Sequence, residues 1–317
     1  MTTFFILFRR MLALVFMMGC GYYAYKKEWV DENSYVSLST IVANILNPIL
    51  IINSVLEADH SAITGKSMVT NLVFVLIYYG LLIVVGLLMG PILGIKDASK
   101  HQYNLMTLFS NVGFMAIPVL SAIYGSTATV YIVFYILLFN VLMYSYGIAV
   151  AVKTNGGKSG GIHWKKMINV GTVSSLFAII LYVFNVTAET VGDPLATICN
   201  YMGNATVPFS MFVTGVSIAM FPVKEYLSGA RVYIFSLIKL LVLPAVCAFV
   251  LKALAANGMD FDPMVKTVFI YELAMPVGAL VLVINRIYGE NEIISSKGIV
   301  ISTLLSIITI PLVSFFI

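Results

Sequence analysis

Long apolar stretches separated by short polar connections fill almost the whole chain of 317 residues. A helix needs about 20 predominantly apolar residues to cross a bilayer, and ten stretches reach that length. The pattern predicts membrane-spanning helices near residues 4–25, 35–57, 67–94, 100–123, 126–152, 165–186, 193–221, 231–256, 263–287 and 293–316. We therefore expect an all-α integral membrane protein.

The fourth and ninth spans are interrupted by proline and glycine. The interruptions read NVGFMAIPVLSAIYG at 111–125 and ELAMPVGALVLVINRIYG at 272–289. Irregular backbone survives in the hydrocarbon core only where it is buried in protein or lines a wet cavity, because lipid offers no hydrogen-bond partners. Broken spans at matching places of two halves indicate the substrate and ion site of a secondary transporter.

Composition agrees with a membrane protein and argues against other classes. Hydrophobic residues make up 60% of the chain and charged residues 10%, whereas soluble domains have about 25% charged residues. The net charge of +4 reflects basic loops and predicts no nucleic-acid partner. The three cysteines and three histidines lack metal-ligand spacing, and no phosphate loop or catalytic triad is present. We expect no metal, no cofactor and no enzyme activity.

The distribution of basic residues predicts the orientation, because cytoplasmic loops carry the excess of Lys and Arg. Of the 18 Lys and Arg residues, twelve lie in one set of alternate loops, five in the other, and Lys239 lies within the eighth span. Both termini are therefore expected outside the cell membrane. A homodimer is a further expectation.

Two five-helix halves are expected on either side of a basic, glycine-rich linker. The linker is 153–164, the first repeat 1–152 and the second 165–317. Because five is odd, similar halves must be inverted relative to one another. The triplet IYG recurs at 123–125 and 287–289. Aligned on it, Pro276 falls opposite Val112, so the two breaks should be alike in kind but offset.

The two interrupted motifs, the ten spans and the basic central loop together resemble the auxin efflux carrier family. That family includes plant PIN carriers and bacterial permeases for malonate and malate, and a short central loop makes this chain more similar to the permeases. The resemblance implies a scaffold of spans 1, 2, 6 and 7. It also implies an elevator-like transport domain of spans 3–5 and 8–10, whose broken helices cross at the substrate site. Plant carriers often have proline where this chain has Val281, so a less sharply unwound ninth span is expected here.

The breaks suit an anionic substrate such as a mono- or dicarboxylate. Proline is well tolerated in the first turn of a helix, so Pro118 and Pro276 are expected starts of new half-helices. Such starts present free N–H groups and the positive end of a helix dipole, which hold a carboxylate without arginine. The substrate-binding residues predicted in the breaks are Asn111, Gly113, Pro118, Pro276, Val277 and Gly278.

Polar residues on other spans complete the predicted site. They are Asn47 and Asn53 on the second span, Asn140 on the fifth, and Thr206 and Ser210 on the seventh. Asn47 and Asn53 cannot share one helix stripe unless Pro48 distorts the helix between them. Small polar residues also pack membrane helices together, so packing is the alternative role for each of them.

Glu272 is the candidate for ion coupling, since a carboxylate inside the membrane indicates function by default. It can take up a proton or help to coordinate sodium. A glutamate in the ninth-span break also resembles the bile acid sodium symporters, although Ala274, Met275 and Pro276 add no side-chain oxygen. The alternative is that Glu272 pairs with Lys239 or reaches a water-filled vestibule. Lys239 itself is expected to extend its long stem to the cytoplasmic interface.

The sequence is compatible with three functions. The first is a secondary transporter of a small organic anion such as malate or malonate. The second is a sodium-coupled symporter of a bulkier amphipathic anion. The third is a receptor or channel of the same fold that does not act as a carrier.

Overall fold

The computed structural model describes residues 2–154, 168–220, 229–288 and 292–317. The described residues are helical or irregular, apart from one antiparallel bridge between Ser110 and Val277. The longer helices are α1 (Thr2–Lys26), α2 (Glu32–Leu56), α3 (Gly65–Ile92), α4 (Lys100–Leu108), α5 (Ala116–Tyr124), α6 (Ser126–Thr154), α7 (Val170–Val183), α8 (Asp193–Ala219), α9 (Ala230–Ala256), α10 (Pro263–Leu273), α11 (Leu280–Tyr288) and α12 (Glu292–Val313). The predicted all-helical class is confirmed.

Within the described residues, six helices are long and apolar enough to cross a membrane, namely α1, α2, α3, α6, α9 and α12. The apolar helix α7 is shorter, and the predicted fourth and ninth spans are each divided into two short helices. Ten crossings therefore stay a prediction. Most of the predicted linker, residues 155–164, and Gly289 of the second IYG triplet lie outside the described residues.

Polar side chains fix the starts of several helices. Asp31 accepts a hydrogen bond from the Ser34 backbone N–H at 2.7 Å, and Asn169 accepts one from Thr172 N–H at 3.0 Å. Such caps satisfy donors that have no partner within the helix. Helices α5 and α6 are joined by Gly125 alone, whose φ of 69° suits a residue without a Cβ.

Helices α1 and α8 approach each other closely through a reciprocal pair of glycines. A Cβ at Gly21 would lie 1.9 Å from the Phe212 carbonyl oxygen, and a Cβ at Gly215 would lie 1.8 Å from the Met18 carbonyl oxygen. Small residues allow the backbones of membrane helices to come this near. The first and seventh predicted spans therefore form one tightly packed pair.

Both interrupted spans lose their helical structure over similar lengths. The first break (residues 109–115) separates α4 from α5, and the second break (residues 274–279) separates α10 from α11. The ninth span is unwound over six residues although Val281 stands where plant carriers often have proline, and the comparison with those carriers stays a prediction. Aligned on the IYG triplets, Ala116 matches Leu280, and these residues begin α5 and α11, which are both nine residues long.

The two prolines occupy different places. Pro118 lies in the first turn of α5, whereas Pro276 lies inside the second break, four residues before α11 begins. The prediction that Pro276 starts a half-helix is wrong, because residues 276–278 are held extended by pairing with the first break. Helix formation resumes only at Leu280, beyond that pairing.

Candidate functional site

The two breaks cross and are joined by backbone hydrogen bonds. The Asn111 N–H donates to the Pro276 carbonyl at 2.8 Å, and the Gly278 N–H donates to the Phe109 carbonyl at 2.9 Å. These bonds flank the bridge between Ser110 and Val277. Each break thus satisfies backbone groups that the other leaves open, as the membrane interior requires.

Gly278 is required by the closeness of this crossing. A Cβ there would lie 3.0 Å from the Ser110 carbonyl oxygen and 3.2 Å from that of Phe109. Gly113 in the first break has more room, since a Cβ would meet only the Ile136 side chain, at 3.6 Å. The second break therefore depends on its glycine more strictly than the first.

A cavity of about 1110 Å³, its open mouth included, lies against the crossing. Its polar lining residues are Tyr35, Ser39, Asn44, Asn47, Ser110, Asn111, Asn140, Tyr144, Asn169, Ser210, Thr214 and Ser217. None of the described residues that line it carries a charge.

Both half-helices begin at this cavity. Gly113 and Phe114, just before α5, line it from the first break, and Gly278, Ala279 and Leu280 line it where α11 begins. The helix dipole is positive at this end, while the N–H groups of Ile117, Val281 and Leu282 already donate to nearby backbone carbonyls. Two helix N-termini at one uncharged cavity favour a bound anion.

Three amides predicted from the sequence line the cavity. The side chain of Asn111 makes no hydrogen bond to the described part of the chain, and neither does the buried Oδ1 of Asn47. The Asn140 Nδ2 donates to the Ile136 carbonyl at 2.9 Å, and its Oδ1 and Nδ2 lie opposite Gly171 of α7. Asn111 and Asn47 can therefore turn amide groups toward a ligand, whereas the Asn140 Nδ2 is already held by the Ile136 carbonyl.

Some of the residues predicted to form the site line the cavity, and others do not. Gly113, Ser210 and Gly278 line it together with the three amides. A second group lies elsewhere, and it comprises Asn53, Pro118, Thr206, Glu272, Pro276 and Val277. Asn53 is buried against Gly203 instead, and the Thr206 hydroxyl donates to the Leu46 carbonyl at 2.9 Å.

The different surroundings of Asn47 and Asn53 follow from the shape of α2. A π-helical turn at Val42–Leu46 comes immediately before Asn47 and Pro48. The distortion therefore lies before Pro48 rather than between the two asparagines. As a result Asn47 faces the cavity, while Asn53, six residues on, packs against α8.

Sequence reasoning missed several lining residues. Asn44 and Ser39 lie on α2 before Asn47, and Ser217 follows Ser210 and Thr214 on α8. The signal for Asn44 was its spacing of three from Asn47, which places both on one helix face. Asn169 lies at the start of α7, where its side chain also caps the helix.

Lys239 does not reach the interface, contrary to the expectation. Its side chain is 0% exposed. The ammonium Nζ donates to the Thr107 carbonyl at 3.0 Å and to Ser110 Oγ at 2.7 Å. The physical reason is the broken helix, which offers a free carbonyl and a hydroxyl within reach.

Glu272 is also fully buried, at 0% exposure. Neither carboxylate oxygen has a hydrogen-bond partner, and the described residues contain no ion pair within 4 Å between Glu272 and Lys239. The predicted alternative of a direct ion pair with Lys239 is therefore not observed, and the burial of Glu272 does not agree with a position in an open vestibule.

The fold and its crossing define a class, that of membrane transport proteins with two broken helices. The family model for "Membrane transport protein" matches residues 6–159 and 158–314, and the chain belongs to this family, which is auxin efflux carrier-like. An uncharacterized transporter of Methanothermobacter thermautotrophicus is 24% identical over 311 residues, 95% of each chain. An uncharacterized transporter of Methanocaldococcus jannaschii is 23% identical over 220 residues, which cover 69% of this chain and 68% of the relative.

Proposed function

We propose that this protein is a secondary transporter of a small organic anion, of the mono- or dicarboxylate class. The observation that carries the proposal is the meeting of two half-helix N-termini, those of α5 and α11, at one cavity without charged residues. A carboxylate placed there accepts hydrogen bonds from backbone N–H groups and from the amides of Asn111 and Asn47. The uncharged walls then let the anion leave again, as a carrier requires.

The mechanism that fits the packing is an elevator movement. In this proposal α1, α2, α7 and α8 form the scaffold, which is supported by the close glycine contact of α1 with α8. The other helices, including both breaks, move as one unit and carry the anion. The cavity is lined from both groups, by Asn47 and Ser210 on one side and by Asn111 and Gly278 on the other.

The predicted orientation assigns a direction to the cavity. Ser39, Ser217 and Asn169 line it near the ends of α2, α8 and α7 that the basic loops place on the cytoplasmic side. We therefore propose that this conformation faces the cytoplasm. Two inverted five-helix repeats and extracytoplasmic termini are part of the same proposal.

Substrate counterflow tests the function. The purified protein is reconstituted into liposomes loaded with an unlabelled carboxylate, and uptake of the same labelled carboxylate is measured from outside. We expect transient accumulation above the equilibrium level for at least one mono- or dicarboxylate, malate and malonate included. Absence of counterflow for every carboxylate, or flux far above carrier rates, would contradict a carrier and favour a receptor or channel.

Proton coupling through Glu272 is a second element of the proposal. Its buried carboxyl group without a hydrogen-bond partner favours a site that gains and loses a proton during the cycle. An inward proton gradient imposed on the liposomes is then expected to drive accumulation in wild type and not in Glu272→Gln. Equal accumulation with and without the gradient would remove Glu272 from coupling.

A further inference from the structure

Lys239 is fully buried beside the first break. It belongs to a π-helical turn of α9, Ile238–Val242, and does not line the cavity. Its two hydrogen bonds both go to the first break, to Thr107 O and Ser110 Oγ. Ser110 does line the cavity, so a single side chain separates the ammonium from the substrate space.

The oxygen atoms that bind the ammonium are consequences of the broken helix. In an uninterrupted α-helix the Thr107 carbonyl would accept from the N–H four residues later, that of Asn111. That N–H donates instead to Pro276 across the crossing. The end of α4 is therefore left with a free carbonyl at its negative pole, where a cation is favourable.

A second negative group lies nearby. The Glu272 carboxyl group is fully buried, has no hydrogen-bond partner and lies four residues before Pro276, whose carbonyl accepts from Asn111 of the first break. A carbonyl, a hydroxyl and a carboxylate are hard oxygen ligands of the kind that alkali cations take. Here the first two of them bind the lysine ammonium instead.

We propose that Lys239 is the resident cation of the crossing, supplying the positive charge that the end of α4 and the Glu272 carboxylate require. Substrate binding by this chain therefore needs no sodium or potassium. The statement about substrate rests on the proposed function, whereas the structural role of Lys239 does not. The account deepens that function by assigning the carrier to sodium-independent transport.

The first experiment uses the wild-type protein in detergent. Its melting temperature is measured in sodium chloride, potassium chloride and choline chloride of equal ionic strength. We expect the same melting temperature in all three, because the ammonium already occupies the oxygen ligands. Stabilisation that saturates with sodium or potassium and is absent with choline would overturn the proposal.

The second experiment removes the resident charge. Lys239→Met keeps an unbranched, apolar side chain and removes the ammonium. Lys252→Met is the matched control, because it removes an exposed lysine of the same helix. We expect Lys239→Met to melt about 5–10 °C lower than wild type in choline chloride. We expect sodium to restore part of that loss, since sodium can enter the vacated ligands. Lys252→Met should melt like wild type in every salt.

A double variant keeps the test decisive if the single variant does not fold. Lys239→Met combined with Glu272→Gln removes both buried charges, so it should be recovered as a folded protein with no response to sodium. A double variant as unstable as Lys239→Met alone would overturn the proposed charge balance. A melting temperature of Lys239→Met equal to that of wild type in choline chloride would also overturn it.

These outcomes are separate from those of the transport assay. Melting temperatures report on the resident cation even if no carboxylate is transported. Conversely, sodium-dependent counterflow by the wild type would leave an anion carrier intact while removing the role proposed for Lys239.

Discussion

The two breaks have the same form but different charges. In each break, the carbonyl of the second-last residue of the preceding helix, α4 or α10, accepts a hydrogen bond from a side chain of a long helix, α9 or α3. At the first break the Thr107 carbonyl accepts from the Lys239 ammonium at 3.0 Å, and at the second the Glu272 carbonyl accepts from the Tyr78 hydroxyl at 3.3 Å. One break thus receives a cation, and the other a neutral phenol.

The difference shows how a crossing can keep charged residues out of its cavity, as the proposed anion site requires. The positive charge of Lys239 lies behind the first break, one residue away from the cavity through Ser110. The negative group, Glu272, belongs to the second break and also lies outside the cavity. Both charged groups therefore lie outside the cavity, whose polar lining consists of amides, hydroxyls and the starts of two helices among apolar side chains.

The largest effect on uptake is expected from the close backbone contact at Gly278. Gly278→Ala should destabilise the protein by about 1–3 kcal/mol and abolish uptake, because the new methyl group meets the Ser110 and Phe109 carbonyls. Gly113→Ala is the matched change in the first break and should leave the melting temperature near wild type. Thermal melting of both variants checks this. Equal losses in the two would show that the breaks are equally tight.

Removal of the side chains that donate to these two carbonyls should destabilise the protein by different amounts. Lys239→Met removes two charge-assisted hydrogen bonds of about 1.5–3 kcal/mol each, whereas Tyr78→Phe removes one neutral bond of about 0.5–1.5 kcal/mol. Melting in choline chloride should therefore rank Lys239→Met well below Tyr78→Phe. A reversed order would mean that the neutral contact holds the crossing.

Loss of a cavity amide should weaken substrate binding without unfolding the protein. Asn111→Ala is expected to raise the Kd of a transported carboxylate roughly 10- to 100-fold, the equivalent of one charge-assisted hydrogen bond. Asn53→Ala is the control, since Asn53 lies outside the cavity. Titration calorimetry measures both. Unchanged affinity in Asn111→Ala would remove this amide from the site.

The smallest effect concerns the loops that precede the broken helices. Ser99 hydrogen bonds lower the pKa of Asp97 before α4, and the hydrogen bond from Lys266 lowers the pKa of Asp260 before α10. A depressed pKa means that the stabilisation is present at neutral pH and is lost as pH falls through the folded-state pKa. Because both groups are exposed, Asp97→Asn and Asp260→Asn should each remove only a slight acid-dependent loss of melting temperature. A large loss at neutral pH would contradict this.

The sequence predicted the broken helices because proline and glycine inside apolar spans have few physical explanations. It also predicted Asn47, Asn111 and Asn140 at the cavity, since polar residues on otherwise apolar helices must face something other than lipid. The π-helical turn before Asn47 could not be predicted, because no proline or glycine lies within Val42–Leu46. Asn47 and Asn53 both lie in the regular helix after that turn, where a spacing of six residues places them on different faces.

The placement of Lys239 and Pro276 depended on contacts between distant parts of the chain. Whether a lysine extends to the interface or turns inward is decided by the acceptors it meets. These belong to the end of α4 and to the first break, about 130 residues earlier. Likewise, Pro276 is kept out of a helix by pairing with Asn111. Spacing within one span carries no information about such partners.

A stability screen against a panel of carboxylates tests the central claim most directly. Wild type and Asn111→Ala are melted with each carboxylate and with its uncharged amide, in sodium chloride and in choline chloride. We predict that at least one carboxylate raises the melting temperature of wild type equally in both salts, with little effect on Asn111→Ala and none from the amide. If no carboxylate stabilises wild type, or if one stabilises both proteins equally, the crossing is not an anion site.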